Sequence, residues 1–384
     1  MEESYSEITA FIRKAFKQPE AFIPLHAPYF GGNEKKYVLD TIESTFVSSV
    51  GAYVTRFEEM MQEITGAKYA VAIMNGTTAL HLALLVAGVK HGDAVITQPL
   101  TFAATANAIA HAGATPVFVD VDRDTLGLSP IALKEWLQEN TIIKGGDCFI
   151  NDSGQRVAAC LPMHTFGFPL RIEEVIEVCN SFLIPVVEDA AESLGSYVGK
   201  THTGNFGLLG IFSFNGNKTV TSGGGGAIVT NDEKLGKLAK HLSTTAKVAH
   251  PYEFKHDQVG YNYRMPNINA ALACAQLEQL DHFINNKREL AELYITFFSN
   301  RKEFFVKEQP GTTANYWLNT ILFTSGEDQQ SFLKFSNGQQ VMTRPIWQLM
   351  NKLPMYQSCL AGPLDNAEWL EERVVNVPSS FRPA

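Results

Sequence analysis

Short apolar runs alternate along the chain with longer stretches of small and apolar residues, starting at about residue 68. Runs rich in Val, Ile, Ala and Phe predict strands at residues 69–74, 94–99, 115–121, 183–190 and 208–214. The stretches between them, such as TTALHLALLVAG and FAATANAIAHAG, predict helices. Because apolar strands alternate with helices, the pattern predicts an α/β fold with a mostly parallel sheet.

Two segments depart from this alternation. Residues 144–156, KGGDCFINDSGQR, are rich in turn formers and predict a hairpin or an insert. After about Met265 the pattern is rich in helices and then carries the strands of a smaller unit. We therefore predict a large domain over residues 1–264, which includes the N-terminal segment, and a small C-terminal α+β domain over residues 265–384.

The composition narrows the class of protein. The 384 residues are 45% hydrophobic and 18% charged, which excludes a disordered chain. The formal net charge of -9 argues against a nucleic-acid or anionic-membrane partner, because both are bound by clustered Lys and Arg. No apolar run reaches the roughly 18 residues of a membrane span. The five cysteines form no C-x-x-C pair, so we expect reduced thiols, no metal site and a cytoplasmic location.

Three features could carry chemistry. Gly76 and Thr77 stand between a strand and a helix, where unpaired backbone N–H groups could bind a phosphate or where Thr could simply cap the helix. Asp189 ends a predicted strand, a position where open α/β sheets bind ligands, although it could also cap a helix. Lys218 follows a strand and precedes four glycines at residues 223–226. It is either a reactive amine or a solvated surface residue.

Together these features are typical of a pyridoxal phosphate site. This cofactor needs an amine that binds it covalently, an acid that keeps its ring nitrogen protonated, and donors for its phosphate. The chain resembles the sugar-nucleotide aminotransferases of the DegT/DnrJ type, which have the aspartate aminotransferase fold (fold type I). The resemblance rests on an ordered series of segments: HAPYFGGNE, YAVAIMNGTTALHLAL, PLTFAATANAIAHAGATPVFVDVD, PMHTFGFP, VVEDAAESLGSYVGK, IFSFNGNKTVTSGGGGAIVTND and GYNYRMPNINAALACAQLEQL.

The resemblance implies a role for each candidate residue. Lys218 would hold the cofactor covalently and move protons between the amino donor and the cofactor. Asp189 would pair with the ring nitrogen of the cofactor. The other implied contacts are with the phosphate and the ring face, from Gly76, Thr77, Ser213 and Phe102. Asn262, in the segment GYNYRM, would reach the phosphate of a neighbouring subunit, which implies a homodimer with shared active sites.

Two positions depart from the pattern that is common in this family. Glu192 stands where Gln or His is frequent, near the phenolic oxygen of the cofactor. An ionised carboxylate there would repel a phenolate, so Glu192 is expected to be protonated, turned away or bridged by water. Gly224 stands where an acid is frequent, which leaves the local proton relay open.

The resemblance also implies a reaction. L-Glutamate would donate an amino group to C4 of a UDP-linked 2-acetamido-4-keto-6-deoxy hexose, as in the branch that serves legionaminic acid and bacillosamine synthesis for bacterial surface glycans. The alternatives are a C3-keto sugar, a dTDP- or GDP-linked sugar, and a cofactor-binding regulatory module without turnover. Contacts with the sugar are expected from His164, Arg264 and Tyr53, although a structural role fits each of them as well.

Overall fold

The computed structural model describes residues 2–383. Within them the helices are α1 (Glu2–Ala15), α2 (Glu34–Glu43), α3 (Ala52–Thr65), α4 (Gly76–Val86), α5 (Ala103–His111), α6 (Pro130–Asn140), α7 (Ile172–Ser181), α8 (Glu233–Ser243), α9 (Asn267–Leu277), α10 (Leu280–Phe298), α11 (Gly326–Gly338) and α12 (Asp365–Glu371). Short 3-10 helices span Thr165–Gly167 and Met350–Lys352. None of the helices in this range is both long and apolar enough to cross a bilayer.

The strands of the same range fall into a large central sheet, a smaller C-terminal sheet and several hairpins. They are β1 (Tyr69–Ile73), β2 (Ala94–Thr97), β3 (Thr115–Phe118), β4 (Thr141–Lys144), β5 (Asp147–Ile150), β6 (Val157–Leu161), β7 (Val187–Asp189), β8 (Tyr197–Val198), β9 (Thr201–His202), β10 (Leu209–Ser213), β11 (Gly226–Thr230), β12 (Lys247–Val248), β13 (Lys255–His256), β14 (Phe304–Phe305), β15 (Thr312–Thr313), β16 (Asn319–Leu322), β17 (Arg344–Pro345) and β18 (Val374–Val377).

The central sheet is mixed and deeply buried. Its hydrogen-bonded order is β3-β2-β6 on one side and β7-β10-β11-β1 on the other. Single parallel bridges, Cys160 to Val186 and Met163 to Asp189, join the two halves. The paired strands are parallel except where β11 runs antiparallel to β1 and β10. Every residue of β2, β6 and β11 is buried, which is why these strands are continuous apolar runs. The predicted α/β class with a mostly parallel sheet is confirmed.

Some predicted strands are shorter in the structure, for backbone reasons. The run at 183–190 pairs as a strand only over Val187–Asp189. Leu183 has a left-handed backbone (φ 62°), and Pro185 has no N–H to donate, so regular pairing begins after them. The predicted hairpin is present as β4 and β5, which pair in register around Gly145 and Gly146. Both glycines have positive φ, as a two-residue hairpin turn requires.

The C-terminal part adds a second sheet, in which β14, β16, β18 and β17 pair antiparallel. Helix α1 packs on this part through Tyr5, Ile8 and Ile12. These side chains are buried in one hydrophobic cluster with Phe323 and Phe332. The apolar face of α1 is therefore covered by residues from the opposite end of the chain.

Helix α9 packs in the other direction. Its residues Ala270 and Cys274 are buried with Phe57 and Met61 of α3 and with Phe212 of β10. Hydrophobic packing thus crosses the predicted boundary at residue 264 twice, because α1 joins the C-terminal part and α9 joins the large sheet. The division of the chain into two domains at that residue stays a prediction.

Gly210 in β10 leaves no room for a side chain, because a Cβ there would lie 2.0 Å from the carbonyl oxygen of Gly204. We expect Gly210→Ala to lower the free energy of unfolding by about 2–3 kcal/mol, since packed backbone must shift. Urea unfolding followed by tryptophan fluorescence measures this change. Gly338→Ala is the matched control, because its Cβ would meet no atom within 4 Å. A similar loss in both variants would contradict the explanation.

Candidate active site

A cavity of about 370 Å³ opens at the carboxyl ends of the parallel strands. Its volume lies in the range of small-molecule sites. Residues from the central sheet line it together with Trp317 and Trp347 from the C-terminal part. The predicted cofactor contacts that line this cavity are Gly76, Thr77, Phe102, Asp189, Glu192, Ser213 and Lys218. The fold therefore brings together side chains that are widely separated in sequence.

The start of α4 forms an anion cradle. Asn75 caps the helix, and its Oδ1 accepts the Thr78 N–H at 2.8 Å. The N–H groups of Gly76 and Thr77 begin the helix and have no intrahelical acceptor. A Cβ on Gly76 would lie 2.9 Å from the Cβ of Ser213, so glycine is needed for this close approach. Free N–H groups, a helix N-terminus and a hydroxyl together suit a phosphate group.

The glycine run after Lys218 has a packing role. A Cβ on Gly226 would lie 2.6 Å from the backbone carbonyl of Asn75, in the turn that caps α4. Gly223 has a left-handed backbone (φ 76°). The run therefore lets β11 approach the anion cradle closely.

Asp189 ends β7 and is 2% exposed. Its Oδ2 accepts the Thr105 hydroxyl at 2.8 Å, and its Oδ1 accepts the Ala191 N–H at 3.2 Å. Burial raises the pKa of this carboxyl, and the Thr105 hydrogen bond opposes the rise. A carboxylate that is fixed in this way at the cavity wall can pair with a cationic ring nitrogen.

The Lys218 amine is held between an acid and an aromatic ring. Its Nζ lies 2.9 Å from Oε1 of Glu192 and 3.9 Å from the ring centroid of Trp317. The other carboxylate oxygen of Glu192 accepts the N–H of Phe166 at 2.9 Å. Burial raises the pKa of Glu192, while the positive charge of Lys218 lowers it. Glu192 therefore faces the lysine as its ion-pair partner and is not turned away from the site.

Asn315 fixes both partners of Lys218. Its Nδ2 donates to the carbonyl of Glu192 at 2.8 Å, and its Oδ1 accepts the N–H of Trp317 at 2.8 Å. The indole N–H of Trp317 in turn donates to the carbonyl of Asn217 at 2.7 Å. Asn315, Trp317 and Trp347 were missed in the sequence analysis, because they lie far from the catalytic motifs and no local pattern marks them.

His164, predicted as a contact for cofactor or sugar or as a structural residue, lies away from the cavity. The side chain is fully buried, and it does not line the cavity. Its Nε2 lies 3.0 Å from a carboxylate oxygen of Glu188, and its Nδ1 accepts the N–H of Leu170 at 3.3 Å. The same Glu188 accepts backbone N–H groups from the 204–207 loop. Because both ring nitrogens are used in these contacts, they favour the structural alternative, and a contact of His164 with the sugar stays a prediction.

Three other residues that were predicted as contacts do not line the cavity of their own chain. The ring of Tyr53 packs 5.3 Å from that of Tyr37, and burial, with Asp40 nearby, raises the pKa of Tyr53 to about 12. Arg264 donates to Oδ1 of Asn262 at 3.2 and 3.3 Å, and Asn262 is exposed. The roles of Tyr53, Arg264 and Asn262 stay predictions.

The fold and the cavity define the class of protein. A lysine amine, a buried strand-end aspartate and a phosphate cradle in one cavity fit pyridoxal phosphate, on a fold type I architecture. No group of three or more His, Cys, Asp or Glu side chains within residues 2–383 could hold a metal ion. The lysine and its surroundings are those of a cofactor-dependent transferase.

Comparisons with known proteins identify the family. Residues 28–382 match the DegT/DnrJ/EryC1/StrS aminotransferase family, and the chain belongs to it. It is 38% identical to the GDP-perosamine synthase of Escherichia coli O157:H7 over 93% of both chains. It is 34% identical to the GDP-perosamine synthase of Vibrio cholerae over 93% of this chain and 94% of that one. The solved aminotransferase TlmJ from Streptoalloteichus hindustanus superposes with a TM-score of 0.84 at 25% identity, covering 94% of each chain.

These relatives confirm a pyridoxal phosphate-dependent sugar aminotransferase. They do not support the expected branch of legionaminic acid and bacillosamine synthesis, because the two GDP-perosamine synthases are named for a GDP-linked sugar. The segments quoted in the sequence analysis were sufficient for the family but not for its branch.

The hydroxyl of Thr105 is a side-chain donor to Asp189, so its loss should weaken cofactor binding. We expect Thr105→Val to reduce the affinity for pyridoxal phosphate about tenfold, because a hydrogen bond to a charged group contributes about 1.5–3 kcal/mol. Equilibrium titration of the visible cofactor band measures the affinity. Thr41→Val is the matched control, since this buried hydroxyl donates only to the Val38 carbonyl of its own helix. A tenfold loss in the control would contradict the assignment.

Proposed function

We propose that this enzyme transfers an amino group from L-glutamate to a keto carbon of a GDP-linked sugar. The observation that carries the proposal is the Lys218 amine, which lies between Glu192 and Trp317 in the cavity that Asp189 and the anion cradle also line. The sugar nucleotide is taken from the relatives named as GDP-perosamine synthases. Amination at C4 is the position that the sequence resemblance implies.

When bound, pyridoxal phosphate supplies an electron sink for the charge that develops as the amino donor loses a proton. Different residues of the chain then bind different parts of the cofactor. Gly76, Thr77 and Ser213 bind the phosphate. The Asp189 carboxylate pairs with the protonated ring nitrogen.

Besides binding the cofactor, Lys218 transfers the proton that the amino donor loses. A free amine at this position can take a proton from one carbon and return it to another. The contacts with Glu192 and Trp317 hold Nζ in place while it does so. Glu192 lies within hydrogen-bond distance of Nζ, so its carboxylate can accept the ammonium proton and leave the amine free to act as a base.

The UDP-linked sugar that the sequence resemblance implies is the second candidate for the substrate. No contact in the cavity distinguishes guanine from uracil, so the choice between them rests on the relatives. The nucleotide is expected to extend beyond the cofactor cavity.

A homodimer is part of the proposal. Asn262 is exposed and lies outside the cavity of its own chain, which is consistent with a contact to the phosphate in a second subunit. Exposed Tyr252, Phe254 and Val259 lie on the segment that leads to Asn262. Such side chains are better explained by contact with a second copy than by contact with water.

We expect Lys218→Ala to lose the visible absorption band of the bound cofactor and to lower turnover by about 10⁴-fold, because no amine remains to bind the cofactor or move the proton. Absorbance and coupled glutamate turnover measure both effects. Lys200→Ala, at an exposed turn, is the matched control and should retain both. Unchanged turnover in Lys218→Ala would refute the proposed function.

A panel of nucleotide sugars tests the substrate. After the enzyme has accepted an amino group from L-glutamate, it should transfer this group to a GDP-linked 4-keto-6-deoxy hexose. Its original absorption band should then return. The UDP-linked and dTDP-linked keto sugars should react at least about tenfold more slowly in kcat/KM. Faster reaction with the UDP-linked 2-acetamido sugar would support the second candidate instead. No reaction with any sugar, despite loading by glutamate, would contradict sugar amination.

Mixing of two inactive variants tests the shared site. Lys218→Ala removes the amine, and Asn262→Asp should repel the phosphate. If Asn262 acts in the second subunit, mixed dimers contain one intact site, and random assembly should restore about a quarter of the wild-type activity. If both residues act in the same chain, the mixture should stay inactive.

A further inference from the structure

A second cavity, of about 10 Å³, lies beside the loop that carries Lys218. It shares no lining residue with the active-site cavity. Its polar walls include His26, Thr219 and Lys287, and the rest is mainly apolar, including Phe283 and Phe381. A space of this size has room for one ion or molecule close to the size of water.

Two of these polar side chains lack partners. Both ring nitrogens of His26 and the hydroxyl oxygen of Thr219 are shielded from solvent and make no hydrogen bond of good geometry within residues 2–383, although the backbone of Asn217 lies close enough to His26 to raise its pKa slightly against the effect of burial. Buried polar groups in folded proteins are nearly always hydrogen-bonded. Two such groups around one small cavity indicate that something polar belongs between them.

Lys287 adds a charge to the same cavity. Its side chain is 1% exposed, and Nζ donates to the carbonyls of Trp317 at 3.2 Å and Ser379 at 2.7 Å. These contacts leave one N–H of the ammonium group free. No carboxylate of residues 2–383 forms an ion pair with it, and burial lowers its pKa to about 7. A buried ammonium without a counter-ion is unfavourable unless an anion joins it.

The cavity lies beside a concavity of the protein surface. It shares Ala27, Pro28, Tyr29 and Phe381 with a surface concavity of about 920 Å³. The charged and titratable side chains of that concavity include Lys17, Arg382 and His282, against the acid Glu289. Positive groups therefore predominate at the entrance, although the whole chain has a net charge of -9. We therefore expect an anion to enter from this side and not from the active site.

We propose that this cavity binds one monovalent anion of halide size, with protonated Lys287 as its counter-ion and with Thr219 and His26 as hydrogen-bond donors. The inference is independent of the proposed function. It has a consequence for the active site, since Thr219 follows Lys218 directly and Lys287 donates to the carbonyl of Trp317, whose ring covers the catalytic amine. A bound anion would fix both supports of Lys218.

The direct test is crystallographic. Crystals of the holoenzyme soaked in sodium bromide should show an anomalous bromide peak within hydrogen-bond distance of Lys287 Nζ and Thr219 Oγ1. Crystals of Lys287→Met should lack it, because this variant keeps the volume but removes the charge. A water molecule in place of bromide, or an empty cavity, would overturn the proposal.

Stability in solution gives a second readout. At constant ionic strength, replacing gluconate by chloride should raise Tm by about 1–3 °C, since only the small anion enters. Thr219→Val should reduce this rise, and Lys287→Met should abolish it. Lys237→Met, which removes an exposed lysine charge, should keep the full rise. An equal chloride effect in Lys287→Met and Lys237→Met would assign the effect to nonspecific screening.

The pH dependence identifies the counter-ion. The titratable groups of the cavity are His26, Tyr29 and Lys287, with Arg382 at the entrance. Burial, and then the charges of Lys287 and Lys218, hold the pKa of His26 well below its usual range, so His26 stays neutral near pH 7. Lys287 must take up a proton to pair with the anion, so chloride affinity should fall about tenfold per pH unit above about pH 7. A constant affinity from pH 7 to pH 9 would contradict the role of Lys287.

Discussion

The amine of Lys218 lies on a side chain that is only 13% exposed, so the active site must supply it with buried partners. Glu192 provides the opposite charge at 2.9 Å, and the Trp317 ring provides a second, weaker electrostatic contact. Neither partner is free to move, because Asn315 is hydrogen-bonded to the backbone of both. One amide side chain thus sets the distance between the acid and the ring that hold the amine.

The same requirement explains a strained backbone nearby. Phe166 has φ 56°, a conformation that is unfavourable for a bulky residue, and its N–H donates to Glu192. The following residue, Gly167, has φ 93°, and a Cβ on it would lie 1.9 Å from Oδ1 of Asn315. The turn at these two residues therefore serves two contacts at once, since it aims an N–H at the carboxylate and leaves room for the amide.

The residues that could be predicted from sequence are those whose chemistry coincides with a local signal. Gly76 and Thr77 stand at a strand-to-helix turn, and Asp189 ends an apolar run, so both positions follow from the order of elements. No local pattern marks Trp317. Its role depends on the fold, which brings its ring from the C-terminal part into the site, and on the contact with Asn315. His164 is the opposite case, because its position suggests a ligand contact while the buried acid Glu188, one residue before Asp189, pairs with its ring.

The catalytic amine also depends on the ends of the chain. Trp317 and Phe166 belong to the same hydrophobic cluster as Tyr5 and Ile8 of α1. A helix that contributes no chemistry therefore supports the ring that covers Lys218 and the backbone that fixes Glu192. Because interiors are close-packed, a change in this cluster is transmitted to side chains that it contacts and not absorbed locally. The ion pair at Lys218 is thus stabilised by packing between the first residues of the chain and its C-terminal sheet, far from the strands that carry the catalytic motifs.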